Sequence, residues 1–156
     1  MRVNSQTVFA AIFFTALLPL EALAQEREWQ LDAQGEDAYL VFGVPSTADI
    51  GISLWCKIGQ KTVSVFAPVP SNVKSIGAKV TLLIDDRKYP LKPKFNTDTN
   101  NTTLEAELQP RDEILSVIAT VERVGLQIAN HKSVFPTEGA NFSEFAKLCK
   151  TAPVSN

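Results

Sequence analysis

Apolar and polar residues alternate regularly between residues 50 and 58. Five residues fall on one side of an extended chain: Ile50, Ile52, Leu54, Cys56 and Ile58. Gly51, Ser53, Trp55 and Lys57 fall on the other side. This period of two predicts a half-buried β-strand. The stretch also carries one of the two cysteines of the chain, so we place it at the centre of the predicted sheet.

The same alternation predicts further strands, around Trp29 and over 38–44, 62–67, 79–84, 89–92, 104–108, 123–129 and 132–135. Trp29 is expected to close one end of the core. In the strand over 38–44, Tyr39 and Val41 make the second face apolar as well, which predicts a strand that is covered on both sides. Glycine, proline, asparagine and aspartate separate the strands, as expected for turns.

Two segments have helical features. Pro110, Asp112 and Glu113 favour a helix over 110–120, but β-branched residues leave helix or strand open for 110–122. The second helix is predicted over 141–150, with Asn141 and Glu144 as a capping box. The predicted fold is therefore α+β: an antiparallel sheet or sandwich of about 7–9 strands, one short internal helix and a C-terminal helix packed on the sheet.

The N-terminus has the three regions of a signal peptide in the usual order. A basic residue, Arg2, precedes the apolar run 8–20, and Ala22-Leu23-Ala24 forms a small-x-small cleavage site. The run is shorter than the roughly 20 residues that span a bilayer, and the alternatives are a retained anchor or a buried helix. We expect a cleaved signal peptide over 1–24, one domain over 25–156 and no membrane span after cleavage. The expected location is the periplasm, with secretion as the alternative.

Export changes the interpretation of the two cysteines. Cys56 lies in the central strand and Cys149 in the apolar stripe of the last helix, and exported chains meet an oxidising compartment. We predict a disulfide between them, which would close a loop of about 93 residues. The alternative is two buried free thiols.

Composition and motifs disfavour several kinds of chemistry. The net charge is −2, and the sequence has no cluster of lysine and arginine that would bind nucleic acid or an anionic membrane. The chain has no metal-ligand spacing and no glycine-rich phosphate loop, so we expect no metal site, no cofactor and no catalytic residues. His131, the only histidine, falls in a predicted turn. A hydrolase that uses Glu105, Glu107 or Asp86 is the alternative, because Glu105 and Glu107 share one strand face.

Loops are the predicted binding surface, because binding residues concentrate on loops of a rigid scaffold. The three candidate loops are 45–49, 68–77 and 95–103. The candidate binding residues are Pro45, Ser46, Thr47, Asp49, Phe95, Asn96, Asp98, Asn100 and Asn101.

The order of these features resembles a family of small, largely uncharacterised exported proteins of alphaproteobacteria. The resemblance rests on Trp29, the run Tyr39–Pro45 followed by Asp49, the strand that ends in Cys56, and the closing helix with Cys149. It implies a periplasmic location and a role in envelope protection, including resistance to lysozyme, and it carries no catalytic residues.

The expected function is therefore non-enzymatic binding of a protein or a cell-wall component, with inhibition of a lysozyme-like hydrolase as one version. The hydrolase and a structural subunit of an envelope complex are the alternatives.

Overall fold

The computed structural model describes residues 26–74, 77–98, 101–108 and 111–151. The predicted signal peptide, 1–24, lies outside them. In chain order the elements are β1 (Glu28–Gln34), β2 (Asp37–Gly43), β3 (Ile50–Lys57), β4 (Ser64–Pro68), β5 (Val80–Ile84), β6 (Arg87–Leu91), β7 (Lys94–Thr97), β8 (Thr102–Glu107), α1 (Arg111–Ile118), β9 (Val124–Ile128), β10 (His131–Phe135) and α2 (Phe142–Lys150).

The strands form two antiparallel sheets. The large sheet has six strands in the order β1-β2-β3-β4-β8-β7, and the small sheet has four in the order β10-β9-β5-β6. The predicted α+β fold, mainly antiparallel and sandwich-like with two helices, is confirmed. The strand from residue 50 lies inside the large sheet, paired with β2 and β4.

Nine strands were predicted and ten are described; the additional one is β7, which lies in a segment that the sequence predicts as a loop. Residues 95–103 form part of a hairpin, in which Phe95 pairs with Leu104 and Thr97 with Thr102. The loop prediction is wrong here because Phe95 packs against the core, and burial of its ring favours the strand despite the polar residues around it. Only the connection after β7 keeps the predicted turn, with the amide of Asp98 donating to the carbonyl of Asn101 over 2.9 Å.

One face of each sheet builds the core. In the large sheet the inward row across β2, β3 and β4 contains Leu40, Leu54 and Val65, all at most 1% exposed. In the small sheet Leu82 pairs with Leu126 and both are buried. Side chains from both sheets and both helices form one hydrophobic cluster, so burial of period-two apolar faces accounts for the two-sheet arrangement.

The predicted disulfide is present and attaches α2 to the large sheet. Cys56 and Cys149 are fully buried, with their Cα atoms 5.8 Å apart. The connection after β3 adds two hydrogen bonds, from the amide of Gly59 to the carbonyl of Leu148 (3.2 Å) and from the amide of Lys61 to the carbonyl of Cys149 (3.1 Å). These donors satisfy carbonyls at the end of α2 that have no partner within the helix. A disulfide persists in oxidising compartments, so the bond is consistent with an exported protein.

Trp29 closes one end of the core, as predicted. Its ring contacts Phe42 and Phe142, with centroids 5.3 and 4.8 Å away. The indole N–H donates to the carbonyl of Pro136. A buried tryptophan needs a partner for this N–H, and the segment after β10 supplies it.

Three local predictions need correction. The choice left open over 110–122 is decided for a helix, α1, because its three buried residues, Ile114, Leu115 and Ile118, follow helical spacing. The helix ends at Ile118 and not at residue 120 as predicted; Pro110 lies outside the described residues. His131 begins β10, since the turn consists of Ala129 and Asn130.

The third correction concerns the start of α2. Asn141 occupies the N-cap position, but its side chain makes no capping hydrogen bond. Its backbone, at φ −87° and ψ 49°, departs from the extended conformation that usually aims a capping side chain at the helix amides. Glu144 pairs with Lys147 at 3.8 Å. The predicted capping box is therefore wrong.

Replacing both Cys56 and Cys149 with alanine should destabilise the protein strongly. The bond closes a loop of 93 residues, for which the chain-entropy model gives about 4–5 kcal/mol of stabilisation. Urea unfolding of the oxidised protein and of the double variant measures the difference. A change below about 1 kcal/mol would contradict a stabilising role for the bond.

Asn141→Ala should cost less than about 0.5 kcal/mol, whereas loss of a working cap typically costs about 1 kcal/mol. The reason is that the Asn141 side chain makes no capping hydrogen bond. Urea unfolding tests this, with Phe142→Ala as the positive control because Phe142 is buried one position further on. A loss of 1 kcal/mol or more in Asn141→Ala would show that a cap forms in solution.

Candidate functional site

The outer face of the large sheet carries apolar and aromatic side chains that do not point into the core. Tyr39 on β2 pairs with Trp55 on β3, and their rings are 6.4 Å apart. Phe66 on β4 lies diagonally beyond, with its ring 6.4 Å from that of Trp55. The three rings therefore cross three adjacent strands on one face, as alternation along each strand requires.

These rings differ in exposure and in their polar partners. Tyr39 is 36% exposed, while Trp55 and Phe66 are half-buried. The indole N–H of Trp55 donates to Asp37 over 3.2 Å, which holds the ring against the sheet. Both the indole and the phenol thus present an apolar body with a polar atom at its edge, a combination that suits a binding surface.

A groove of about 770 Å³ runs over this face. We call it the outer groove. Its floor is formed by side chains of the large sheet: Tyr39, Val41, Ile50, Ser53 and Phe66. Its rim is formed by Arg27 and by residues at two connections: Ala48, Asp49, Asn101 and Thr102. Its volume lies in the range of about 300–1,000 Å³ that is typical of ligand sites.

The topology of the sheet gathers the rim loops. The β2–β3 connection, the segment after β4 and the β7–β8 connection all leave the large sheet at the same end, because the intervening strands are antiparallel. Val69 lines the outer groove and also the depression beside it, which Asp98 and Asn101 line. The described parts of these three connections therefore lie at one end of the large sheet.

The β2–β3 loop is held by its own hydrogen bonds. The amide of Val44 donates to the carbonyl of Asp49 (2.9 Å), and the hydroxyl of Thr47 donates to the carbonyl of Val44 (2.9 Å). Ser46 adopts a φ of 60°, which is uncommon outside glycine. Asp49 forms an ion pair with Arg27, and both are about half exposed. The loop is therefore a preformed edge of the groove.

The structure brings only some of the predicted binding residues to the groove. Asp49 and Asn101 line it, and Asp98 lines the adjoining depression. Pro45, Ser46 and Thr47 lie further along the β2–β3 loop. Asn96 pairs with Thr103, a residue of the groove. Phe95 packs against the core cluster instead, and Asn100 lies outside the described residues.

The floor of the groove was missed by the sequence prediction. The apolar second face of β2 was expected to be covered, yet Tyr39 is 36% exposed there. Both helices pack on the opposite side, since the disulfide joins α2 to an inward residue of β3 and α1 contacts α2. The sequence feature that could have identified the floor is the alternation that places Tyr39, Trp55 and Phe66 on the same face of the sheet. Whether that face is buried or exposed depends on which side of the sheet the helices cover, and the sequence pattern does not specify this.

The carboxylates of the alternative hydrolase do not form one group. Glu105 and Glu107 share the outer face of β8, where they pair with Phe66 and Ser64. Asp86 lies on the small sheet in the β5–β6 turn, paired with Arg123 at 2.9 Å. His131 begins β10, also in the small sheet. Over the described residues no cluster of three or more metal-binding side chains occurs.

These features define a two-sheet α+β domain with an open groove on the larger sheet. Comparison with protein families, with curated proteins and with solved structures found no match. The two helices described, of eight and nine residues, lack the length and apolar character that crossing a membrane requires.

Arg27→Gln should loosen the rim of the groove without unfolding the protein. Half-exposed ion pairs contribute about 0–1 kcal/mol, so the free energy of unfolding should change by no more than that. The amides of Val44 and Asp49, which lie within the bonded loop, should exchange with deuterium faster than in the parent. Lys94→Gln, on the same sheet, is the control. Unchanged exchange in the loop would show that the ion pair does not hold it.

Proposed function

We propose that this protein is an exported, periplasmic binding protein that protects the cell envelope and catalyses no reaction. The contact surface is the outer groove with the two loops on its rim. The observation that carries the proposal is that Ala48 and Asp49 of the β2–β3 loop and residues 101–103 at the start of β8 border a single open groove, whose floor includes Tyr39 and Phe66.

The composition of the surface supports binding to a large partner. Tyrosine, here Tyr39, supplies much contact area at a small cost in conformational entropy and is enriched at interfaces. Ser53, Asn101 and Thr102 add neutral donors and acceptors around the floor. The rim loop has its own hydrogen bonds, so little ordering is needed on binding.

The disulfide and the N-terminal sequence support export to the periplasm, with secretion as the alternative. The resemblance to small exported proteins of alphaproteobacteria supports the role in the envelope. The partner is a protein or a cell-wall component, and one version is inhibition of a lysozyme-like hydrolase by the rigid β2–β3 loop. In that version Ser46 and Thr47 at the exposed tip of the loop would enter the cleft of the enzyme.

The two alternatives are weaker on this geometry. A hydrolase would require carboxylates that converge in a pocket, but Asp86 lies on the other sheet from Glu105 and Glu107. A structural subunit would require a broad apolar patch, whereas Ser53 interrupts the apolar floor here and the Arg27–Asp49 ion pair borders it. Glu105 and Glu107 share a face, so their variants belong in the test.

The test uses the oxidised protein from Gln25 to Asn156 against a panel of lysozymes and insoluble peptidoglycan. Tyr39→Ser with Phe66→Ser should weaken binding or inhibition at least about tenfold, since truncated aromatic anchors often cost about 2 kcal/mol or more. Val134→Ser is the matched control, because Val134 is 63% exposed on the small sheet. Urea unfolding of each variant verifies that it is folded.

Two results would contradict the proposal. Binding that is equally strong in the groove variants would place the contact surface elsewhere. Turnover of glycans that disappears in Glu105→Gln or Glu107→Gln would establish the hydrolase instead.

A further inference from the structure

The outer face of the small sheet contains a separate depression, which Gly125 on β9 lines. Gly125 lies between Leu83 on β5 and Val134 on β10. A Cβ atom at this position would lie 3.0 Å from the carbonyl oxygen of Ser133 and 3.4 Å from a methyl carbon of Leu83, so the close packing leaves little room for a side chain there. The hollow has a volume of about 350 Å³ and is lined by Leu83 and Val134 together with charged side chains. We call it the basic pocket.

Cationic side chains surround this pocket. Lys88 on β6 pairs with Leu83, and Lys132 on β10 pairs with Gln127, so both belong to the same outer face. Neighbouring strands lie about 4.8 Å apart, so the Lys88 backbone is about 10 Å from Gly125 and its side chain can extend over Leu83 towards the hollow. Lys88 and Lys132 both line the pocket.

The other charges around the pocket already have partners. Arg123 pairs with Asp86 at 2.9 Å, and Arg87 pairs with Glu113 at 3.2 Å. The carboxylate of Asp85 accepts hydrogen bonds from the amides of Glu122 and Arg123, both 2.9 Å. The ammonium groups of Lys88 and Lys132 make no ion pair or side-chain hydrogen bond with any residue in the described ranges. Two ammonium groups therefore line the pocket, beside Asp85 and Asp86, without an ion-pair partner in those ranges.

We propose that the basic pocket binds a ligand that carries a phosphate monoester, with the phosphate between Lys88 and Lys132 and the rest of the ligand against Leu83 and Val134. Charge complementarity favours phosphate over carboxylate, because a monoester carries about −1.5 to −2 charges at neutral pH and two lysines face it. Lysine binds phosphate as a compact point charge. The site lies on the opposite sheet from the outer groove and does not depend on the proposed function.

The test is a titration of the oxidised protein from Gln25 to Asn156, labelled with nitrogen-15, with glycerol 3-phosphate at low salt. The amide signals of Gly125, Val134 and Lys88 should shift and saturate. Lys88→Gln with Lys132→Gln should weaken binding at least about tenfold, while Lys57→Gln with Lys94→Gln should leave it within about twofold. This control removes the same charge from the large sheet. Val134→Glu, at an exposed position, should weaken binding by repulsion.

A parallel arm distinguishes a free ligand from a lipid headgroup. Sedimentation with vesicles that contain phosphatidic acid presents the same monoester on a membrane, and vesicles of phosphatidylcholine alone are the reference. Binding to these acidic vesicles but not to glycerol 3-phosphate, lost in the Lys88 and Lys132 variant, would assign the site to a headgroup. Binding to neither probe, or equal loss in the two lysine variants, would overturn the proposal.

Discussion

The attachment of α2 to the central strand of the large sheet governs the rest of the structure. Cys149 is bonded to Cys56, and two amides of the following connection donate to carbonyls near the end of the helix. The helix is thereby held on one side of the sheet, where Phe142 packs against Trp29. Since Trp29 also donates to the carbonyl of Pro136, the same contacts hold the segment between β10 and α2. The attachment thus connects the first strand, the middle of the sheet and the last helix.

A consequence of this one-sided packing is the free outer face of the large sheet. Strand residues alternate between the two faces, so each buried row of Leu40, Leu54 and Val65 implies an outward row. On most solvated faces that outward row is polar. Here it contains Tyr39, Trp55 and Phe66, whose apolar area remains partly accessible. Partly exposed aromatic residues are enriched at interaction surfaces, and Trp55 is also held by its hydrogen bond to Asp37.

The two outer faces have different physical characters. The outer groove is apolar and neutral at its floor and is bordered at one end by the hydrogen-bonded β2–β3 loop. The basic pocket is smaller and carries two lysines without a carboxylate partner in the described ranges. Both arise from outward positions of antiparallel strands, and their difference comes from the side chains alone. The two proposed contacts follow from this difference: rings and a loop on one face, and two ammonium groups on the other.

Sequence alone determined the described strands other than β7, the last helix and the cysteine pair, because period-two alternation, turn residues and a small number of cysteines are local or countable properties. It also identified Asp49, Asp98 and Asn101 as loop residues. Tertiary structure decided which face of β2 is free, that Phe95 enters the core, and that Asn141 makes no capping bond. It also decided that Gly125 lies between Leu83 and Val134. These outcomes depend on which strands become neighbours and on which side the helices pack, and contacts between residues distant in sequence set both.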